Sequence, residues 1–185
     1  MTRLTRSTVA GIFALGAVFT LAAPARADAT GDVRAAVMKV VGLSSYEMSF
    51  GTGSRSGTMD FAKPGNWHVR TATGEMIVIG SDFYVKRSNS GWMKLPASAS
   101  ANAMRTFDNM GSLGRRPSNA TATDLGMKSV DGESLHAYRV KDSDGHEATV
   151  YVGRDGFVHR VADGNGTGGV RLSKFNAAPP IHAPM

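Results

Sequence analysis

The residues that could do chemistry are few and badly spaced for it. The chain holds five His, at 68, 136, 146, 159 and 182, and no two stand three or four apart, so no local metal pair exists. His146-Glu147 begins like a zinc-protease motif, but Val150 occupies the place of the second His and the segment reads as a strand. Asp142 and Asp144 ahead of Gly145 suggest a calcium loop, yet a third acidic position and the distal Glu are missing, so the reading is a hairpin turn. Gly164-Asn-Gly-Thr-Gly-Gly169 fits the dinucleotide-loop spacing. It precedes a strand, however, where phosphate binding needs a helix N-terminus. No G-x-S-x-G elbow occurs, and the absence of Cys removes a thiol nucleophile, a thiolate metal site and a disulfide framework. With no nucleophile or acid–base group standing out, the expectation is a protein that is not an enzyme and needs neither metal nor cofactor.

Composition bounds what is left. The 185 residues suit one domain, and 42% hydrophobic with 19% charged residues is ordinary for a globular chain. Residues 1–27 read as a secretory signal peptide: Arg3 and Arg6, an uncharged apolar run of about 14 residues from Val9 to Ala22, then Pro24 and the cleavage pattern Ala25-Arg-Ala27. The run is too short to span a bilayer comfortably. The mature domain is then 28–185, exported and, without Cys, best suited to a bacterial periplasm. Removing three Arg with the signal lowers the net charge from +6 to +3, and Arg115-Arg116 is the only adjacent Arg pair, so nucleic acid is not an expected partner.

The elements follow from periodicity. Thr30 is positioned to cap a helix starting near Gly31, with Val33, Val37, Val40 and Val41 as its apolar face. From Ser45 the period becomes two: Tyr46, Met48 and Phe50; Met59 and Phe61; Trp67 and Val69; Met76 to Ile79; Phe83 to Lys86; and Trp92 to Leu95. Residues 98–112 read as a short amphipathic helix with Met104, Phe107 and Met110 on one face. Strands resume at Leu125–Val130, Leu135–Val140, Ala148–Val152, Phe157–Val161 and Val170–Phe175. The predicted class is α+β, an incomplete antiparallel β-barrel of about 11 strands wrapped over the N-terminal helix and a short lid helix.

What does stand out is the number of Met residues aligned with aromatic positions. On residue type alone, a plain core and an adaptable cavity for acyl chains both account for them. The candidate cavity lining is Tyr46, Met48, Phe50, Met59, Phe61, Trp67, Val69, Met104, Phe107 and Met110.

Leu43-Ser-Ser-Tyr46 with Phe50, Phe61-Ala-Lys63-Pro64 with Trp67-His68-Val69, and Gly80-Ser-Asp-Phe-Tyr-Val85 together make the stretch from Ser44 to Leu95 resemble the periplasmic outer-membrane lipoprotein carriers and the related mycobacterial lipid-carrying lipoproteins. Val152-Gly-Arg-Asp-Gly156 with Val158-His159, and Phe175 with Pro179-Pro-Ile181, extend the likeness over most of the mature chain. The resemblance implies a helical lid over a hydrophobic cavity, a monomer, acyl lipid or lipoprotein as cargo, and membrane donor and acceptor proteins. The alternative on the same scaffold is a non-catalytic envelope sensor or protein-interaction module. Lys63 stands where the lipoprotein carriers have an Arg that bonds to the lid, which makes Lys63 the candidate lid latch. An ammonium lacks the planar fork of a guanidinium, so the resemblance points to a general lipid or lipoprotein carrier.

Overall fold

The computed structural model describes residues 28–53, 56–88, 90–96, 119–164 and 168–184. The expected signal peptide and the expected lid helix, with Met104, Phe107 and Met110, lie outside them.

Helix α1 spans Ala29–Gly42. Eleven strands follow among the described residues: β1 Ser45–Phe50, β2 Gly57–Ala62, β3 Asn66–Thr71, β4 Gly74–Ile79, β5 Asp82–Arg87, β6 Met93–Lys94, β7 Thr121–Val130, β8 Glu133–Lys141, β9 Glu147–Val152, β10 Val158–Asp163 and β11 Gly169–Ser173. They form one open antiparallel sheet in the order β6-β5-β4-β3-β2-β1-β11-β10-β9-β8-β7. Two meanders are thus joined where the first strand meets the last, with Met48 opposite Leu172 and Phe50 opposite Val170. Each meander needs only tight turns. At Asp131-Gly132, both residues take positive φ, 53° and 82°, the two-residue turn whose twist suits a hairpin.

Helix α1 packs on the β7–β11 half. Val33, Ala36, Tyr138, Val150, Val158 and Leu172 form its buried core. The predicted helix face is corrected at two points. Ala36 is 2% exposed while Val41 is 53% exposed, because positions 33, 36, 37 and 40 complete the stripe and 41 turns out of it. Thr30 does not cap the helix: its Oγ1 lies inside α1 and accepts the amide N–H of Ala122 on β7 at 3.1 Å. A hydroxyl expected to serve the helix terminus instead ties the helix to an edge strand.

The bounds of four strands, β6, β7, β10 and β11, also differ from expectation. The Trp92–Leu95 segment contributes only Met93 and Lys94 to the sheet. Phe157 and Phe175 fall just outside β10 and β11, where their rings stack at 4.7 Å. Strand β7 starts earlier than expected, at Thr121, and its register shifts between Asp124 and Met127, with Gly126 at φ 72°. A bulge of this kind bends an edge strand and interrupts its free ladder.

Candidate functional site

The register places every described member of the predicted lining on one face of the sheet, the face that also carries α1. Tyr46 opposes Phe61, Phe61 opposes Trp67, Trp67 opposes Val78 and Val78 opposes Phe83. A second row runs Leu172, Met48, Met59, Val69, Met76 and Val85. Both rows follow from the period of two, since a one-residue slip would turn a whole strand over. Burial is graded across the grid. Phe83, Met59, Val69 and Val78 are buried, while Tyr46, Met48, Phe50, Phe61 and Trp67 keep part of their surface accessible.

Three of the accessible members, Tyr46, Phe61 and Trp67, form a contiguous aromatic strip. The Tyr46 and Phe61 rings lie 5.0 Å apart, tilted by 35°, and the Phe61 and Trp67 rings lie 4.7 Å apart, tilted by 52°. These are favoured offset or tilted arrangements. Burial pushes the Tyr46 hydroxyl above its ordinary pKa, so it presents a neutral phenol to this face. Chemically, the strip offers apolar and polarizable surface with no charged group in its rows.

Lys63, the candidate latch, is placed at the end of α1. Its Nζ donates to the Gly42 carbonyl oxygen at 2.9 Å, and its backbone N–H donates to the Ser44 carbonyl. A cation at a helix C-terminus satisfies an orphan carbonyl and complements the helix dipole. Among the described residues, then, the ammonium joins α1 to the β2–β3 turn.

The opposite face holds a polar network that the sequence reading passed over. Its members occupy the positions that alternate with the apolar ones along neighbouring strands. Asp60 is 0% exposed, opposite Glu47 on β1 and His68 on β3. Arg70 is the hub. Its Nη2 lies 2.8 Å from Asp60 Oδ2 and 3.6 Å from Glu47 Oε2, its Nε donates to Thr58 Oγ1 at 3.3 Å, and its Nη1 reaches His68 Nδ1 at 3.1 Å. The Asp60 contact is ionic and poorly aligned, for neither Asp60 oxygen accepts a hydrogen bond among the described residues. A guanidinium can only donate, so His68 Nδ1 is an acceptor and the ring proton sits on Nε2, which donates to Glu75 Oε2 at 2.9 Å. That bond, aided by Lys86, holds the Glu75 carboxyl below its ordinary pKa. The only hint in the sequence was an acid between two large apolar residues, Met59-Asp60-Phe61.

The segment from Asp142 to His146 is the turn between β8 and β9. Asp142, Asp144 and His146 bring their ligand atoms within 4.8 Å of one another. Asp142 Oδ1, however, accepts the amide N–H groups of Asp144 and His146, both at 2.9 Å, as a turn-forming Asp does.

No family model matches this sequence, and no curated protein is significantly similar to it. Solved structures do match. The Mycobacterium tuberculosis lipoprotein LppX aligns with a TM-score of 0.56 and 18% identity, over 82% of this chain and 97% of LppX. The Pseudomonas aeruginosa MucA/MucB complex aligns with a TM-score of 0.44 and 15% identity, over 84% of this chain and 59% of the matched one. At such identities the likeness is one of backbone architecture. In the described residues, no helix is long and apolar enough to cross a membrane. The chain therefore has the open, half-barrel-like antiparallel sheet of LppX, with α1 and the aromatic strip on the same face.

Proposed function

We propose that this protein is an exported, periplasmic carrier that holds acyl chains of lipids or lipoproteins against the helix-bearing face and moves them between membranes without covalent chemistry. The observation that carries the reading is the Tyr46–Phe61–Trp67 strip, partly accessible and free of charge on the face of a half-barrel with the LppX architecture. Aromatic and Met side chains suit flexible chains, since they supply contact area without fixed hydrogen-bond demands. Each CH₂ leaving water gains about 0.8 kcal/mol, so one long acyl chain gains on the order of 10 kcal/mol gross. Among the described residues the sheet stays open between β6 and β7, and that opening serves loading and release.

The test is native mass spectrometry of protein purified from a periplasm, with titration of a fluorescent fatty acid into delipidated protein. Co-purified acyl lipid and saturable binding support the carrier. Absence of both would reject it and favour the protein-interaction module.

A further inference from the structure

A pocket of about 460 Å³ opens at the end of strands β1, β2, β3 and β11, where the two faces of the sheet meet. That volume falls within the ~300–1,000 Å³ typical of small-molecule sites. Three arginines line it, Arg70, Arg160 and Arg171, with the hydroxyls of Ser49 and Thr58, and no Asp or Glu is among its described lining residues. We propose that this pocket binds a phosphate oxyanion, and that the anion is the headgroup of an acyl lipid whose chain lies on the aromatic strip. The inference rests on the carrier reading for the chain, but not for the anion.

Register supplies the first argument. Ser49 opposes Arg171, and Arg171 opposes Arg160, so these side chains share the face away from α1. Phe50 opposes Val170 on the helix-bearing face, and both also line the pocket. Phe50 stands two residues beyond Met48 on β1, so the apolar grid ends at the same pocket that the arginines line from the other face. Gly57 lets the Phe50 ring pack directly on the β2–β3 backbone at the pocket's rim. A Cβ there would meet the Arg70 carbonyl oxygen at 2.6 Å and the Phe50 ring at 2.7 Å.

Charge supplies the second. The acids that hold the arginines approach from outside the lining. Arg160 Nη1 donates to Asp131 Oδ2 at 2.8 Å; Arg171 Nη2 donates to Glu133 Oε1 at 2.7 Å, with Nη1 3.7 Å from Asp131. Arg70 faces Asp60, Glu47, Thr58 and His68 as above, and Lys174 Nζ balances Glu47 at 2.8 Å. His159 lies between Glu133 and Asp155, at 3.3 and 2.9 Å. The carboxylates orient the guanidinium planes, but a guanidinium carries more N–H donors than Arg160 and Arg171 use in these contacts. Fixed arginines with donors unused among the described residues, and neighbouring hydroxyls, suit a phosphate group, whose oxygens take charge-assisted, bidentate hydrogen bonds.

The experiment compares dodecyl phosphate, dodecanol and inorganic phosphate on the delipidated full-length mature protein by isothermal calorimetry. Dodecyl phosphate should bind about tenfold or more tightly than dodecanol at low salt, and the ratio should shrink toward one in roughly 0.5 M NaCl. The same ratio should collapse in Arg160→Gln/Arg171→Gln, and the salt arm keeps the test valid if that variant fails to fold. Inorganic phosphate that competes weakly supports the lipid headgroup, whereas inorganic phosphate that binds as tightly as dodecyl phosphate supports the oxyanion pocket and overturns the headgroup assignment. Equal affinity for dodecyl phosphate and dodecanol, with no binding of inorganic phosphate, overturns the pocket while leaving the acyl carrier intact. No binding of either alkyl ligand overturns the carrier and the headgroup assignment, and inorganic phosphate then decides the pocket alone.

Discussion

Replacing Arg70 with Ala should destabilise the protein far more than its partly exposed position suggests. Asp60 is 0% exposed, and Arg70 Nη2 at 2.8 Å is its cationic partner among the described residues. Truncating one member of a buried pair strands the other charge, which costs about 3–5 kcal/mol. Arg70 also donates to Thr58 and His68. The first of these is long, at 3.3 Å, and a typical hydrogen bond adds only about 0.5–1.5 kcal/mol net. Water entering where the guanidinium was offsets part of the loss, because that side chain is 35% exposed. The expected total is therefore about 3 kcal/mol, or a fall in Tm of roughly 6–12 °C for a domain of this size. Urea denaturation followed by circular dichroism, at constant m-value, measures it. The diagnostic variant is Asp60→Asn in the Arg70→Ala background, where removal of the stranded charge should restore about 2 kcal/mol. A loss below about 1 kcal/mol for Arg70→Ala, or additive effects in the double mutant, would refute the buried charge pair.

Phe61 sits between Tyr46 and Trp67, so Phe61→Ala should lower affinity for a fluorescent fatty acid about tenfold while costing roughly 3 kcal/mol of stability; unchanged affinity in a folded variant would remove the strip from the site. Glu75 has a depressed folded-state pKa, so its contribution is present above the ordinary carboxylate range and is lost as pH falls through the lower folded value. Glu75→Gln should therefore lower Tm at pH 7 and flatten the acid limb of the Tm–pH curve, whereas a parallel shift at every pH would contradict the His68–Glu75 bond. Lys63→Ala should cost about 1 kcal/mol by freeing the Gly42 carbonyl, visible as faster amide exchange in the last turn of α1; unaltered exchange there would deny the cap. Slower lipid release in Lys63→Arg would instead support the latch role implied by the family resemblance.

Much of the architecture was legible because strand periodicity is a local property. Ser45–Phe50, Gly57–Ala62 and Asn66–Thr71 each alternate one apolar and one polar side chain, and the turns between them carry Gly, Pro or Asn. Those features alone set which residues share a face, so the Tyr46, Met48, Phe50, Met59, Phe61, Trp67 and Val69 grid needed no structure to be drawn. The sequence could not say that β1 pairs with β11, since more than a hundred residues separate Phe50 from Val170 and no local signal spans them. Nor could it tell that Thr30 bonds to Ala122 rather than capping α1, because both partners attract a hydroxyl and only packing chooses. The polar face shows the limit most clearly. Glu47, Asp60, His68 and Arg70 alternate with the apolar residues, and cross-strand register stacks them side by side and folds Arg70 over Asp60 until no water reaches it. Period decides which side of a sheet a residue occupies; what covers it there is decided by side chains on neighbouring strands, Arg70 for Asp60, which only the tertiary structure brings into contact.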